Sequence, residues 1–137
     1  MPYTYTRDDQ RRRIVIALKG NFTASEGLAT VEQRRSDVGA ESYGVLYDLR
    51  GLIGQPTVGD LKQFMDAEAL PAAGEQPRQV RGPIAFLVTE PALYEKACTY
   101  RALGRGRLII EVFRDFEEAD AWLKNKAPRN MSKLNTS

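Results

Sequence analysis

A chain of 137 residues with 42% hydrophobic and 28% charged side chains has the make-up of one globular domain and excludes a disordered or fibrous protein. It holds no histidine and a single cysteine, Cys98, which excludes Ser-His-Asp triads, Cys-His dyads, histidine-based metal sites, internal disulfides and CxxC pairs. The formal net charge of +2 does not by itself establish the clustered basic face that generic nucleic-acid binding requires.

Tyr3 to Thr6 alternates β-formers, Arg7 to Gln10 reads as a turn, and Arg11 to Lys19 resumes as a strand around Ile14, Val15, Ile16 and Leu18. The chain therefore opens on a predicted β-hairpin. After Gly20-Asn21, Thr23-Ala24-Ser25-Glu26 has the form of a capping box and predicts a helix from about Ala24 to Val38. The nearly continuous apolar run Val45 to Leu49 predicts a central parallel strand covered on both faces. Arg50 to Pro56 reads as a glycine-bearing loop, and Thr57-Val58-Gly59-Asp60 caps a second helix ending near Leu70, with Val58, Leu61, Phe64 and Met65 at helical spacing.

Pro71 to Gly82 has no periodicity and reads as a surface loop within one domain. Ile84 to Val88 is a second buried strand. Pro91 opens a third helix with Leu93, Ala97 and Leu103 along one face, ended by Gly104 and Gly106. Leu108 to Phe113 supplies the last strand, and Phe116, Ala119, Trp122 and Leu123 stripe a final helix. The predicted order is β-β-α-β-α-β-α-β-α: an α/β domain over residues 2–124 with a mixed, mostly parallel sheet of about five strands, followed by a flexible polar tail over 125–137. The apolar runs Ile14 to Leu18 and Ile84 to Val88 fall far short of the roughly 20 residues of a membrane span. Met1 to Tyr5 lacks the basic and apolar segments of a secretory signal, so a cytoplasmic location is expected.

This order, with Tyr47-Asp48-Leu49-Arg50 ending a central strand and the closing Val112-Phe113-Arg114-Asp115 to Ala121-Trp122-Leu123 pattern, resembles the SpoIIAA-like family of the STAS and CRAL-TRIO (lipid-transfer) fold group. The resemblance covers about residues 3–124 and implies a STAS-like fold. In that wider group, anti-sigma-factor antagonists carry a phosphorylatable serine in an Asp-Ser-Ser-Gly-like turn at the helix after this strand. Here the stretch reads Gly54-Gln55-Pro56-Thr57-Val58-Gly59-Asp60, with Thr57 as its hydroxyl. A related group of the fold binds lipids or other apolar molecules in a groove beside the sheet.

Asp48 and Arg50 sit at the C-terminal end of a central strand, the edge where open α/β sheets hold ligands, and are the leading polar candidates. Their plainer role is to pair with neighbouring loops. Gln55 and Thr57 follow in the next turn, and Thr57 stands either as a helix N-cap or as a phosphorylation site at a helix N-terminus. Arg101, with Arg105 and Arg107, surrounds the end of the third helix, either complementing its dipole or forming an anion patch. Arg11-Arg12-Arg13 and Arg34-Arg35 are short basic runs that read either as solvated faces or as part of an anion-binding patch for phosphate, nucleic acid or an acidic partner. Phe64, Met65, Phe116 and Trp122 read as packing, Cys98 as a small half-buried filler, and Tyr94 and Tyr100 as surface tyrosines beside a groove or interface.

These readings converge on a non-enzymatic regulatory or protein-interaction module that acts through the loop after Leu49 and the second helix and self-associates as a homo-oligomer. The alternative is a small-molecule or lipid carrier with an apolar pocket. No cofactor, metal, specific nucleic acid or membrane span is expected. An enzyme using Asp, Glu, Lys or Tyr ranks last, because no two carboxylates fall into a pair.

Overall fold

The computed structural model describes residues 3–40, 42–54, 56–69 and 82–126. Strands β1 (Tyr3–Asp8) and β2 (Arg13–Asn21) form the opening hairpin. They are followed by α1 (Ala24–Arg35), β3 (Gly44–Ile53), α2 (Val58–Ala69), β4 (Ile84–Leu87), α3 (Pro91–Leu103), β5 (Ile110–Phe113) and α4 (Phe116–Lys126). The five strands lie in the order β1-β2-β3-β4-β5, with β1 antiparallel to β2 and every other pair parallel.

Alternation along the strands divides the core between two layers. Ile14, Ile16, Val45, Tyr47, Leu49, Ile84 and Phe86 point to one face, where Val31 of α1, Leu61, Phe64 and Met65 of α2, and Leu93, Ala97 and Tyr100 of α3 cover them. Leu46, Ala85 and Leu87 point to the other face and meet Ala119 and Leu123 of α4. Burying each large side chain of this kind contributes about 1.5–3 kcal/mol. The strand order advances without reversal, so the three parallel crossovers place their helices on the same face. A sheet wound this way has no topological switch point, and with it goes the reason for expecting a ligand crevice beside Asp48 and Arg50.

Several boundaries differ from expectation. Helix α1 stops at Arg35: the Ser36 hydroxyl donates to Glu32 O at 2.9 Å, the chain turns at Gly39 with φ +90°, and Val38 is left exposed. Strand β3 runs through the expected loop as far as Ile53, because β2, past a bulge between Ala17 and Lys19, pairs Lys19–Asn21 with Gly51–Ile53. The result is a two-stranded ribbon projecting beyond β4, whose last partner on β3 is Asp48, and it ends at Gly54, where φ is +77°. The last strand begins at Ile110 rather than Leu108, and α4 continues through Asn125 and Lys126. The expected loop over 71–81 and the tail over 127–137 lie outside the described residues.

Two aromatic side chains exchange roles. Tyr100, expected at the surface, is 2% exposed, because it continues the helical stripe of Leu93 and Ala97. Phe116, expected in the core, is 44% exposed, since it opens α4 and the buried stripe is taken by Ala119 and Leu123.

Candidate functional site

The sequence candidates do not converge. Asp48 and Arg50 point to the α4 face of the sheet, two residues along from Leu46, and are spent on each other. Arg50 donates through Nε and Nη2 to Asp48 Oδ1 and Oδ2, both at 2.9 Å, and its backbone N–H donates to Oδ1 at 3.1 Å. Hydrogen bonds from Arg50 hold the Asp48 carboxyl below the usual carboxylate range against the opposing effect of burial. Leu49 between them faces the opposite layer.

Thr57 begins α2, the helix packed on that opposite face. Its hydroxyl accepts from Asp60 N at 3.0 Å while its own N–H donates to Asp60 Oδ2 at 3.1 Å, a reciprocal cap that satisfies two orphan donors. Gln55 lies outside the described residues. Around Thr57 the surface is apolar: Ile53 at the ribbon tip is 67% exposed and Val58 is 47% exposed. Beside them opens a cleft lined by Leu18, Phe22, Leu52, Phe64, Leu93 and Lys96, with neighbours from β3, β4 and α3. Among the described residues its lining contains no carboxylate and one cation, Lys96. The cavity measures about 40 Å³, an order of magnitude below the roughly 300 Å³ at which small-molecule pockets begin. The predicted lipid carrier finds no support in a space of that size.

Arg101 ion-pairs with Glu111 across the gap between α3 and edge strand β5. Ile84 N and Val88 N donate to Ile109 O and Phe113 O, so the backbone of residues 109, 111 and 113 faces β4 and that of Ile110 and Val112 faces outward. The outward N–H of Val112 donates to Glu111 Oε1 at 3.2 Å. The remaining basic runs are largely paired: Arg7 with Asp9 and Asp37, Arg11 with Asp8, and the buried Arg13 with Asp120 at 2.5 Å. Arg114 lies 4.0 Å from the centre of the Tyr94 ring.

One cluster escaped the sequence reading. Arg34 of α1 ion-pairs with Glu68 of α2 in the interior, where only 15% and 1% of the two side chains are exposed. Tyr47 joins them from β3: its hydroxyl lies 2.9 Å from Thr30 Oγ1 and donates to Glu68 Oε1 at 3.5 Å. Arg35, next to Arg34, donates to Ala67 O at 2.7 Å and Glu68 O at 3.3 Å, closing the C-terminal carbonyls of α2. Burial pushes the Tyr47 phenol well above its ordinary range, with Glu68 adding to the effect and Arg34 opposing it. Burial works against the Arg34 charge, yet Glu68 and Tyr47 more than offset it and hold the guanidinium protonated. Tyr100 is also raised by burial, and among the described residues its hydroxyl has no hydrogen-bond partner. The signal was present in the helical spacing: Thr30, Val31 and Arg34 share one stripe, and Leu61, Phe64, Met65 and Glu68 share another. Opposite charges on two core-facing stripes meet.

The geometry therefore offers exposed aliphatic side chains beside a capped helix start and, at the other end of the same helix, a buried ion pair. It suits recognition of side chains. Among the described residues no group of three or more His, Cys, Asp or Glu is placed to hold a metal ion, and no helix is long and apolar enough to cross a membrane.

The fold is a five-stranded, mostly parallel STAS-like α/β fold with four helices. A solved anti-sigma factor antagonist from Mycobacterium paratuberculosis is similar over 89% of this chain and 94% of its own, with a TM-score of 0.56 and 17% identity. No family model and no curated protein matches the sequence.

Proposed function

We propose that this chain is a non-enzymatic regulatory module of the SpoIIAA-like type, which binds another protein at the C-terminal edge of its sheet. The observation that carries the reading is the pair of exposed aliphatic side chains, Ile53 and Val58, flanking Thr57 beside the apolar cleft. Aliphatic groups left in water at a rigid edge gain most from a partner's cover. The similar fold of a protein described as an anti-sigma factor antagonist supports the same class of activity. The module works in the cytoplasm and self-associates, with residues 2–124 acting as one unit. Thr57 is its switch: phosphorylation there adds charge at a helix start that Asp60 already caps, breaking the reciprocal bonds and repelling the carboxylate.

The test compares partners captured from a native lysate by the tagged chain and by Ile53→Asp, Thr57→Glu and Thr57→Ala, with the melting temperature of each recorded. A partner bound by the wild type and by Thr57→Ala, and lost by Ile53→Asp and Thr57→Glu without loss of folding, is the expected result. A partner retained by Ile53→Asp overturns the surface. One retained by Thr57→Glu overturns the switch. A ligand-free dimer is expected in native mass spectrometry.

A further inference from the structure

At the opposite end of the sheet, where α3 ends, β5 begins and α4 finishes, lies a groove of about 460 Å³. Among the described residues, Arg101, Arg105 and Lys126 line it against a single carboxylate, Glu111, which Arg101 already holds. Among the described residues no carboxylate pairs with Arg105 or Lys126. The apolar part of the wall is Ile109, 55% exposed, together with the half-buried Trp122.

We infer that this groove is a docking site for an acidic, apolar-bearing peptide segment of a protein partner. Glu111 shows how a carboxylate is received there, since it accepts from the Arg101 guanidinium and from the outward N–H of edge strand β5. A partner carboxylate placed further along meets Arg105 and Lys126, and an adjacent aliphatic side chain covers Ile109 and the Trp122 ring. Charge complementarity selects the occupant: three cations against one carboxylate call for acid. Residues 127–137, which continue from Lys126, carry Arg129 and Lys133 and no acidic side chain, so they are poorly matched to it. An apolar wall and only three cations fit a peptide better than a nucleic acid, whose affinity rises with the number of phosphates neutralised.

Trp122, which lines the groove and packs on Phe113, is the chain's single tryptophan, so in the folded chain its emission reports on this one position. The experiment titrates the full chain, in about 0.15 M salt, with a short synthetic peptide of alternating glutamate and leucine, and separately with its glutamine-leucine counterpart, inorganic phosphate and a single-stranded oligonucleotide. A saturable shift with the acidic peptide alone is expected, weakened roughly tenfold in Arg105→Ala/Lys126→Ala, the scale of two partly exposed ion pairs. Both replacements are of exposed side chains, and the variant's melting temperature confirms that it folds. No saturation, an equal response to the glutamine peptide, phosphate or oligonucleotide, or undiminished binding by the double variant overturns the inference. Ile53→Asp leaves this titration unchanged, which separates it from the surface around Thr57.

Discussion

Replacing Glu68 with alanine removes one half of an ion pair and leaves the other half in place. Arg34 cannot lose its proton, so its charge is left without the carboxylate on a side chain that is only 15% exposed in the intact chain. Removing one partner of a buried pair costs about 3–5 kcal/mol. Because part of the Arg34 side chain reaches solvent, we place the loss at about 3 kcal/mol, out of the roughly 5–15 kcal/mol that holds a domain of this size. At about 4 °C per kcal/mol the melting temperature falls by about 12 °C. The double variant Arg34→Met/Glu68→Leu removes both charges and refills the space with apolar atoms, so it should return to within about 1 kcal/mol of wild type. Urea unfolding followed by far-ultraviolet circular dichroism and by Trp122 emission measures both. A Glu68→Ala loss below about 1 kcal/mol, or a double variant as unstable as the single one, refutes the assignment of this pair as a sealed, mutually dependent unit.

Tyr100→Phe tests the same interior from the opposite side. The hydroxyl it deletes is buried with no partner among the described residues, so removing it relieves part of a desolvation penalty of about 1–3 kcal/mol, and the melting temperature should hold or rise. A clear drop would show that the hydroxyl is bonded after all. For Asp120, a hydrogen bond from Arg13 holds the carboxyl below its ordinary range, against burial. A depressed native value means that the pair adds stability above the unfolded value of about 3.9 and loses it as pH falls through the native one. Asp120→Asn should therefore be less stable than wild type at neutral pH, with the gap closing toward about pH 2. Urea midpoints across that range decide it, and a gap independent of pH sinks the account.

The fold was legible because its signals are local and periodic. Val45 to Leu49, broken only by Asp48, and Ile84 to Val88 are nearly continuous apolar runs, the pattern a covered parallel strand needs. The ribbon was missed because Arg50 and Gly51 look like loop residues until a bulge in β2 brings Lys19 opposite Gly51, a pairing between distant segments. The helix cap at Thr57 was visible three residues ahead in Asp60, whereas the partner of Arg101 was not, since Glu111 lies on the next strand. Arg34 misled through its neighbour: a double arginine looks solvated, yet successive helical residues point about 100° apart. One inserts between helices to reach Glu68 while the other closes the end of α2. Reading Arg34 and Glu68 against the apolar stripes they interrupt would have exposed both.

Glu111 has a further consequence for the free chain. A parallel sheet that ends on an open strand presents a template on which further strands can assemble, and repetition of that step builds fibres. In β5 the outward N–H of Val112 is already occupied by the chain's own carboxylate, and Arg101 fixes that carboxylate from the side. Strand β5 is also only four residues long. The same two side chains that shape the groove thus occupy one of the outward donors that a further strand would have to use, and so blunt this edge against added strands.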